Sequence, residues 1–186
     1  MSAIVIALVG AESTGKTTLA TQLTQALNDR TGLRCANVPE ELRLFCDREG
    51  RVPRADEQAG IVAAHIAAIE AAAATHDVVI CDTTPLMVAI YSEQLFNDRS
   101  LIDGALALHH RCALTLVTAL DIEWQADGWV RDGPHVRAPV DALLLAALKS
   151  GQIPWQRVSG VGPARLDAAL SAVLPLCTGL SALRRG

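Results

Sequence analysis

An α/β fold, with a parallel five-stranded sheet between two layers of helices, is the architecture this sequence predicts, and three observations predict it. Apolar runs of four to seven residues alternate with longer helix-compatible stretches, the pattern of repeated β–α units. The runs Ile4–Val9 and Val78–Cys81 are apolar almost without interruption, as strands covered by helices on both faces must be. The first of them ends in a glycine-rich loop that leads directly into a helix-forming stretch, Thr18–Leu23.

Taken in order, strands are expected near 3–9, 34–39, 77–82, 113–118 and 155–159. Helices are expected at 16–28, 40–48, 55–75, 85–96, 100–110, 138–149 and 163–173. Asp56 and Glu57 favour the start of the third helix, and Pro163 suits the first turn of the last. There is no internal repeat and no linker, so residues 1–174 read as one domain and 175–186 as a loosely held C-terminal tail.

Composition narrows the function classes. A chain of 186 residues can bury a substantial core. Sixteen Lys and Arg against 20 Asp and Glu give a net charge of −4 with no basic run, which argues against a nucleic-acid surface. No apolar run approaches the ~18–20 residues that span a bilayer, and Met1–Val5 lacks a basic leader region. A cytoplasmic protein without a membrane segment is therefore expected. Cys35, Cys46, Cys81, Cys112 and Cys177 form no C-x-x-C pair, and read as reduced, buried thiols. Monomer and homo-oligomer are equally compatible with the sequence. Only two of the 16 basic residues are lysines, Lys16 and Lys149. A lysine therefore stands at the one position where a compact point charge is wanted beside phosphates.

That position lies in Gly10-Ala11-Glu12-Ser13-Thr14-Gly15-Lys16-Thr17, which matches G-x-x-x-x-G-K-[ST] throughout and is followed by Thr18. Strand, loop and helix come in the order that makes this a phosphate cradle, so the fold is expected to be a three-layer P-loop NTPase fold. Gly10 and Gly15 permit backbone conformations and close approaches that a Cβ would block. The loop N–H groups and the helix N-terminus turn partial positive charge toward phosphate. Lys16 can bridge the β- and γ-phosphates of ATP, and the Thr17 hydroxyl can reach Mg²⁺. No N-K-x-D sequence specifies guanine.

Four further groups surround this motif. Asp82 ends an apolar strand at the edge where parallel sheets place their ligands. Two roles are open to it, Mg²⁺ ligand or cap of the helix at Pro85. Glu40, with Arg43 one turn on, follows the second strand and could orient or deprotonate an acceptor hydroxyl; an exposed helix-start pair is the other reading. The segment 121–137 is long, rich in turn formers and holds Trp124, Trp129, Arg131 and Arg137. It reads as a lid whose arginines fold over the γ-phosphate, or as a surface loop pairing them with Asp127 and Asp132. His65, in an alanine-rich helix, is a helix-face histidine or a lining residue of the acceptor pocket.

The P-loop run through Leu19, Pro39-Glu40 with Arg43, Asp82-Thr83, and Trp124 followed by Asp127-Gly128 and Arg131 resemble a known family over residues 3–173. It is the AAA-type ATPase-like P-loop kinase family that contains the ribosylnicotinamide kinase domain of NadR-type proteins. NadR-type proteins often carry an adenylyltransferase domain and sometimes a DNA-binding domain; here the expectation is of the kinase domain alone. The resemblance implies ATP–Mg²⁺ as donor, a place in NAD metabolism, and phosphorylation of the ribose 5′-hydroxyl of nicotinamide riboside. Carried over by position, it gives Lys16 and Thr17 to phosphate and metal, and sets Glu40 and Asp82 beside acceptor or metal. It puts Arg131 in the lid and Trp124 beside a nucleoside. Phe45, Gln58 and His65 are the groups that could meet the base.

Two other functions compete with a small-molecule kinase. A nucleotide-dependent switch or slow ATPase would present the 121–137 loop to a protein partner on an exposed apolar surface. A transferase acting on phosphorylated nucleotides would aim Arg43, Arg48 or Arg54 into the acceptor pocket, with the Arg48, Arg51, Arg54 cluster as its signature.

Overall fold

Five parallel strands make the sheet: β1 (Ile4–Val9), β2 (Cys35–Val38), β3 (Val78–Asp82), β4 (Leu114–Thr118) and β5 (Gln156–Val158), in the order β2-β3-β1-β4-β5. The computed structural model describes residues 3–126 and 133–183. Its helices are α1 (Lys16–Thr31), α2 (Glu41–Glu49), α3 (Gln58–Thr75), α4 (Pro85–Phe96), α5 (Ile102–His109), α6 (Arg137–Ser150) and α7 (Pro163–Leu183). Short 3₁₀ turns at Ala55–Glu57 and Pro134–Val136 lead into α3 and α6.

The two-residue alternation of β1 divides the core. Ile6 and Leu8 face α1 and α7, meeting Leu23, Leu27, Leu170 and Val173. Ala7 and Val9 face the other way, into Leu86 and Ile90 of α4 and Leu144 and Leu148 of α6. Val79 and Cys81 of β3 are covered by Ala68, Ile69 and Ala72 of α3. Helices therefore flank the sheet on both faces, and the C-terminal ends of β1, β3 and β4 open together at one edge, with Leu8 paired to both Asp82 and Leu116.

Three expectations need correction. Residues 175–183 are not a loose tail, because α7 continues through Pro175 to Leu183. Cys177 and Leu180 lie in the core cluster with α1. A proline inside a helix costs about 3 kcal/mol, and burying these two side chains with the partly buried Leu176 offsets that at ~1.5–3 kcal/mol for a large apolar residue. Secondly, Ala55–Thr75 is, by length and composition, apolar enough to cross a membrane. Alanine supplies that hydropathy, and in this structure the helix packs on α2, α4, β2 and β3.

Thirdly, His65 is fully buried on the same face of α3 as Ile61, with neither ring nitrogen hydrogen-bonded among the described residues. It therefore belongs to the core rather than to an acceptor surface. His109 is also buried, but is held between the hydroxyls of Thr84 (3.1 Å) and Thr115 (2.9 Å). All five cysteines are free, four of them buried.

Removing residues 176–186 should cost about 3 kcal/mol or more, because it uncovers Leu23 and Leu27; urea unfolding of the truncated chain measures it. Burial pushes His65 and His109 down to about 4 from the usual 6.5. Between those values the unfolded chain takes up protons that the folded chain refuses. The related stability is complete above pH ~6.5 and falls as the pH drops toward 4, by about 3 kcal/mol for each histidine. Asp82, whose carboxyl burial raises, acts with the opposite sign just above its ordinary range. Comparing urea melts at pH 7 and pH 4.5 with those of His65→Leu isolates the histidine contribution, and the variant should lose about half of the drop.

Candidate active site

The loop Gly10–Thr17 leaves β1 at the open edge of the sheet and enters α1. Gly10 has φ +148°, and a Cβ there would collide with Oγ1 of Thr118 at the end of β4. Gly15, at φ +75°, caps the N-terminus of α1. Ser13 and Thr83 also take positive φ, at +53° and +69°, without being glycines. Such backbone is costly and persists where surrounding contacts over-determine it. Those contacts are present: Ser13 Oγ accepts from the Gln125 N–H at 2.9 Å and the Thr83 N–H donates to the carbonyl of Leu8 at 2.9 Å. Thr14 Oγ1 donates to the carbonyl of Ala11 (2.8 Å) and lies 2.7 Å from Thr118 Oγ1. The Lys16 ammonium reaches the carbonyl of Ala11 at 2.8 Å and so stays across the mouth of the loop.

A pocket of about 260 Å³ is lined by Glu12–Thr18 together with Glu40, Arg43 and Tyr91. The geometry brings Glu40 and Arg43 to the phosphate loop, 3.9 Å apart as a helix-start pair. Asp82 ends β3, 1% exposed, with Oδ1 lacking a hydrogen-bond partner among the described residues. Burial raises its pKa, while a hydrogen bond from the Thr17 hydroxyl and the charges of Lys16 and Arg43 pull the other way. A hydroxyl and a carboxyl with an unused oxygen are the donor set that Mg²⁺ accepts, since this ion takes few protein ligands and completes its shell with phosphates and water. No group of three or more metal-ligating side chains exists among the described residues.

A second space, a groove of about 520 Å³, runs between Ser13, Gly15 and Thr18, the segment Ile122–Ala126, and Val161–Gly162. The segment is fastened to the loop at two points. Trp124 Nε1 donates to Glu12 Oε1 at 2.9 Å, and the Gln125 N–H donates to Ser13 Oγ at 2.9 Å. Glu12 therefore lines the cradle while its carboxyl is turned to Trp124. Arg137 opens α6 and is 8% exposed, its guanidinium 3.5 Å from the carbonyl of Ser13. Arg131, Trp129, Asp127, Gly128 and Asp132 lie outside the described residues, as does the middle of the expected lid.

Other sequence candidates lie elsewhere. Phe45 is buried among Leu42, Cys46 and Ile61, with the Arg48 and Arg51 guanidinia about 5.5 and 5.4 Å from its ring centroid. Arg51 pairs with Glu57 (2.6 Å), Arg54 with Asp56 (3.2 Å) and Arg48 with Glu49 (3.0 Å). The arginine cluster is thus engaged locally, and Arg43 is the one arginine lining the loop pocket among the described residues. Gln58 is buried, and its Oε1 has no hydrogen-bond partner among the described residues. A third cavity, about 330 Å³, lies between α3 and α5 over Val5 and includes no residue of the loop.

Sequence reasoning missed Thr118, Tyr91 and Arg165. Thr118 and Arg165 meet the loop only through tertiary contacts, and no motif marks them. Tyr91 carried one signal, as the single tyrosine of the chain.

A family model described as an AAA domain matches residues 5–165. No curated protein matches the sequence. Among solved structures, the NadR protein in complex with NAD and AMP-PNP is similar at TM-score 0.71 and 20% identity, over 95% of this chain and 50% of that one. The NadR protein in complex with NR gives 0.72 and 19%, over 93% and 51%. Thymidylate kinase from Ehrlichia chaffeensis gives 0.63 and 16%, over 95% and 100%. The chain thus spans about half the length of the NadR structures it matches, and the shared property is the P-loop kinase fold. With that fold, and with the family model covering most of its length, the chain belongs to the AAA-domain family of P-loop proteins.

Proposed function

We propose that the protein is an ATP–Mg²⁺-dependent kinase that phosphorylates a hydroxyl of a nucleoside-like small molecule, with nicotinamide riboside as the leading acceptor and NAD metabolism as its setting. One observation carries this reading: the phosphate loop shares a pocket with Glu40, Arg43 and Tyr91. A carboxylate, a guanidinium and a phenol beside a phosphate cradle are what an acceptor hydroxyl needs for orientation and deprotonation. Of Arg43, Arg48 and Arg54, Arg43 lines this pocket, whereas Arg48 and Arg54 pair with Glu49 and Asp56, so the nucleoside and nucleoside monophosphate arms of the assay below separate the two acceptor classes. NAD and NR in the NadR structures, and the thymidylate in the name of the third neighbour, each contain a nucleoside unit, which supports a nucleoside-like acceptor.

In this mechanism the loop N–H groups and Lys16 hold the β- and γ-phosphates. Thr17 and Asp82 are the residues that would hold Mg²⁺, which supplies charge neutralisation between the phosphates when bound. Glu40 orients the acceptor hydroxyl and takes its proton as the oxygen attacks, with Arg43 steadying that carboxylate and Tyr91 bordering the acceptor. Arg137 and Arg131 are assigned to the charge that develops on the transferring group. Positioning and electrostatic stabilisation suffice for this chemistry.

The deciding assay is ATP consumption by the purified protein with Mg²⁺, alone and with a panel of nucleosides and nucleoside monophosphates that includes nicotinamide riboside. A rate that rises with one nucleoside and yields its monophosphate is the expected result; a slow rate indifferent to every acceptor would sink the kinase reading. Lys16→Ala should lower turnover by about 10²–10³-fold or more, the scale of one lost transition-state charge contact, with an unchanged thermal unfolding midpoint. Glu40→Gln should cut kcat by about 10²–10⁴-fold while ATP affinity moves less than about threefold, and an unaltered kcat would remove Glu40 from the mechanism.

A further inference from the structure

A buried guanidinium at the start of α7 joins three loops. Arg165 is 3% exposed. Its Nη1 donates to the carbonyl of Thr14 at 2.7 Å, its Nε donates to the carbonyl of Gly160 at 2.6 Å, and its Nη2 is paired with Asp121. The ring closes through Asp121 Oδ2, which accepts from the Gly160 N–H at 2.7 Å. Thr14 belongs to the phosphate loop, whereas Asp121 and Gly160 immediately precede the two segments, Ile122–Ala126 and Val161–Gly162, that wall the groove.

The contact with Thr14 has a geometric consequence. In a trans peptide the C=O and the following N–H point in opposite directions. A guanidinium that holds the Thr14 carbonyl therefore turns the Gly15 N–H away from Arg165; Gly15 lines the loop pocket with Lys16 and Glu40, and Arg165 does not. Gly15 takes φ +75° without strain and so leaves this peptide free to turn, while Ser13, at φ +53° without being a glycine, is costly; the hold on the Thr14 carbonyl selects one orientation between them. Lysine cannot replace the hold, since it lacks the planar fork that serves three acceptors at once.

We infer that Arg165 is a positioning residue for the nucleotide: it fixes the Gly15 amide toward phosphate and ties that orientation to the two segments flanking the groove, so that occupancy of the groove by the nucleoside part of ATP tightens the phosphate cradle. The inference rests on the assignment of ATP as the bound nucleotide but not on the identity of the acceptor. Thr14 gains a two-sided anchor, Thr118 on its side chain and Arg165 on its carbonyl.

The test compares binding of Mg–ATP with that of Mg–tripolyphosphate, which has the phosphates and no nucleoside, by calorimetry on the whole chain. Arg165→Lys should weaken ATP about 30-fold, the scale of lost hydrogen bonds to a charged group, and tripolyphosphate about fivefold or less. Asp121→Asn keeps an acceptor for Gly160 and the bond to Thr14; it should weaken ATP about fivefold and leave tripolyphosphate within about twofold. It also serves if the Arg165 variant does not fold. Equal losses for the two ligands, or no loss for either, in a folded variant would overturn the coupling and leave the kinase reading intact. Failure of the unaltered protein to bind ATP would overturn both.

Discussion

Position 10 has no room for a side chain, because the Thr118 hydroxyl at the end of β4 occupies the space where a Cβ would lie. That close approach lets the phosphate loop fold down between β1 and β4 instead of standing away from the sheet. The same hydroxyl then meets Thr14 and lies 3.3 Å from the carbonyl of Val9. A parallel sheet makes the arrangement possible. β1 is central, paired on both sides, so the loop that leaves it has a neighbour to each side. β4 supplies the anchor, and β3 supplies Asp82 in register with Leu8.

The polar groups at this edge are arranged around the cost of burial. Asp82 is desolvated, and its ionised form is supported by the Thr17 hydroxyl and two nearby cations. Arg165 is desolvated as well, which lowers its pKa, and Asp121 works against that shift. In both cases a charge out of water keeps its partners on different chain segments, so pairing the charge also fixes the loops. By contrast, Arg48 and Arg54 lie on the surface with partners within a few residues, where ion pairs contribute little. They hold a turn together and leave the loop pocket to Glu40 and Arg43.

Outside the site, the helical layers differ in how they meet the sheet. α1 and α7 press large aliphatic side chains onto Ile6, Leu8 and Ile80, whereas α3 approaches β3 closely through Ala68 and Ala72. Small residues bring backbones together but bury less apolar area each. That difference accounts for α7 persisting past Pro175, since the cluster it closes is rich in leucine. It also places His65 in a tight interior, without a hydrogen-bond partner among the described residues, rather than at a surface.

The sequence alone determined what depends on neighbours along the chain. Periodicity located all five strands and all seven helices of the described residues to within a few positions, except the end of α7. The spacing of Gly10, Gly15, Lys16 and Thr17 identified the phosphate loop, because that chemistry is written within eight consecutive residues. Glu40 and Arg43 were legible for the same reason, one helical turn apart after a strand. Tertiary structure alone decided the strand order, the arrival of Tyr91 beside Arg43, the turning of Glu12 toward Trp124, and the bracing of Thr14 by Thr118 and Arg165. These contacts join residues 48 to 151 positions apart. Nothing local selects them; they form because the sheet edge gathers the loop ends, and because buried polar groups there must find partners wherever the chain brings them.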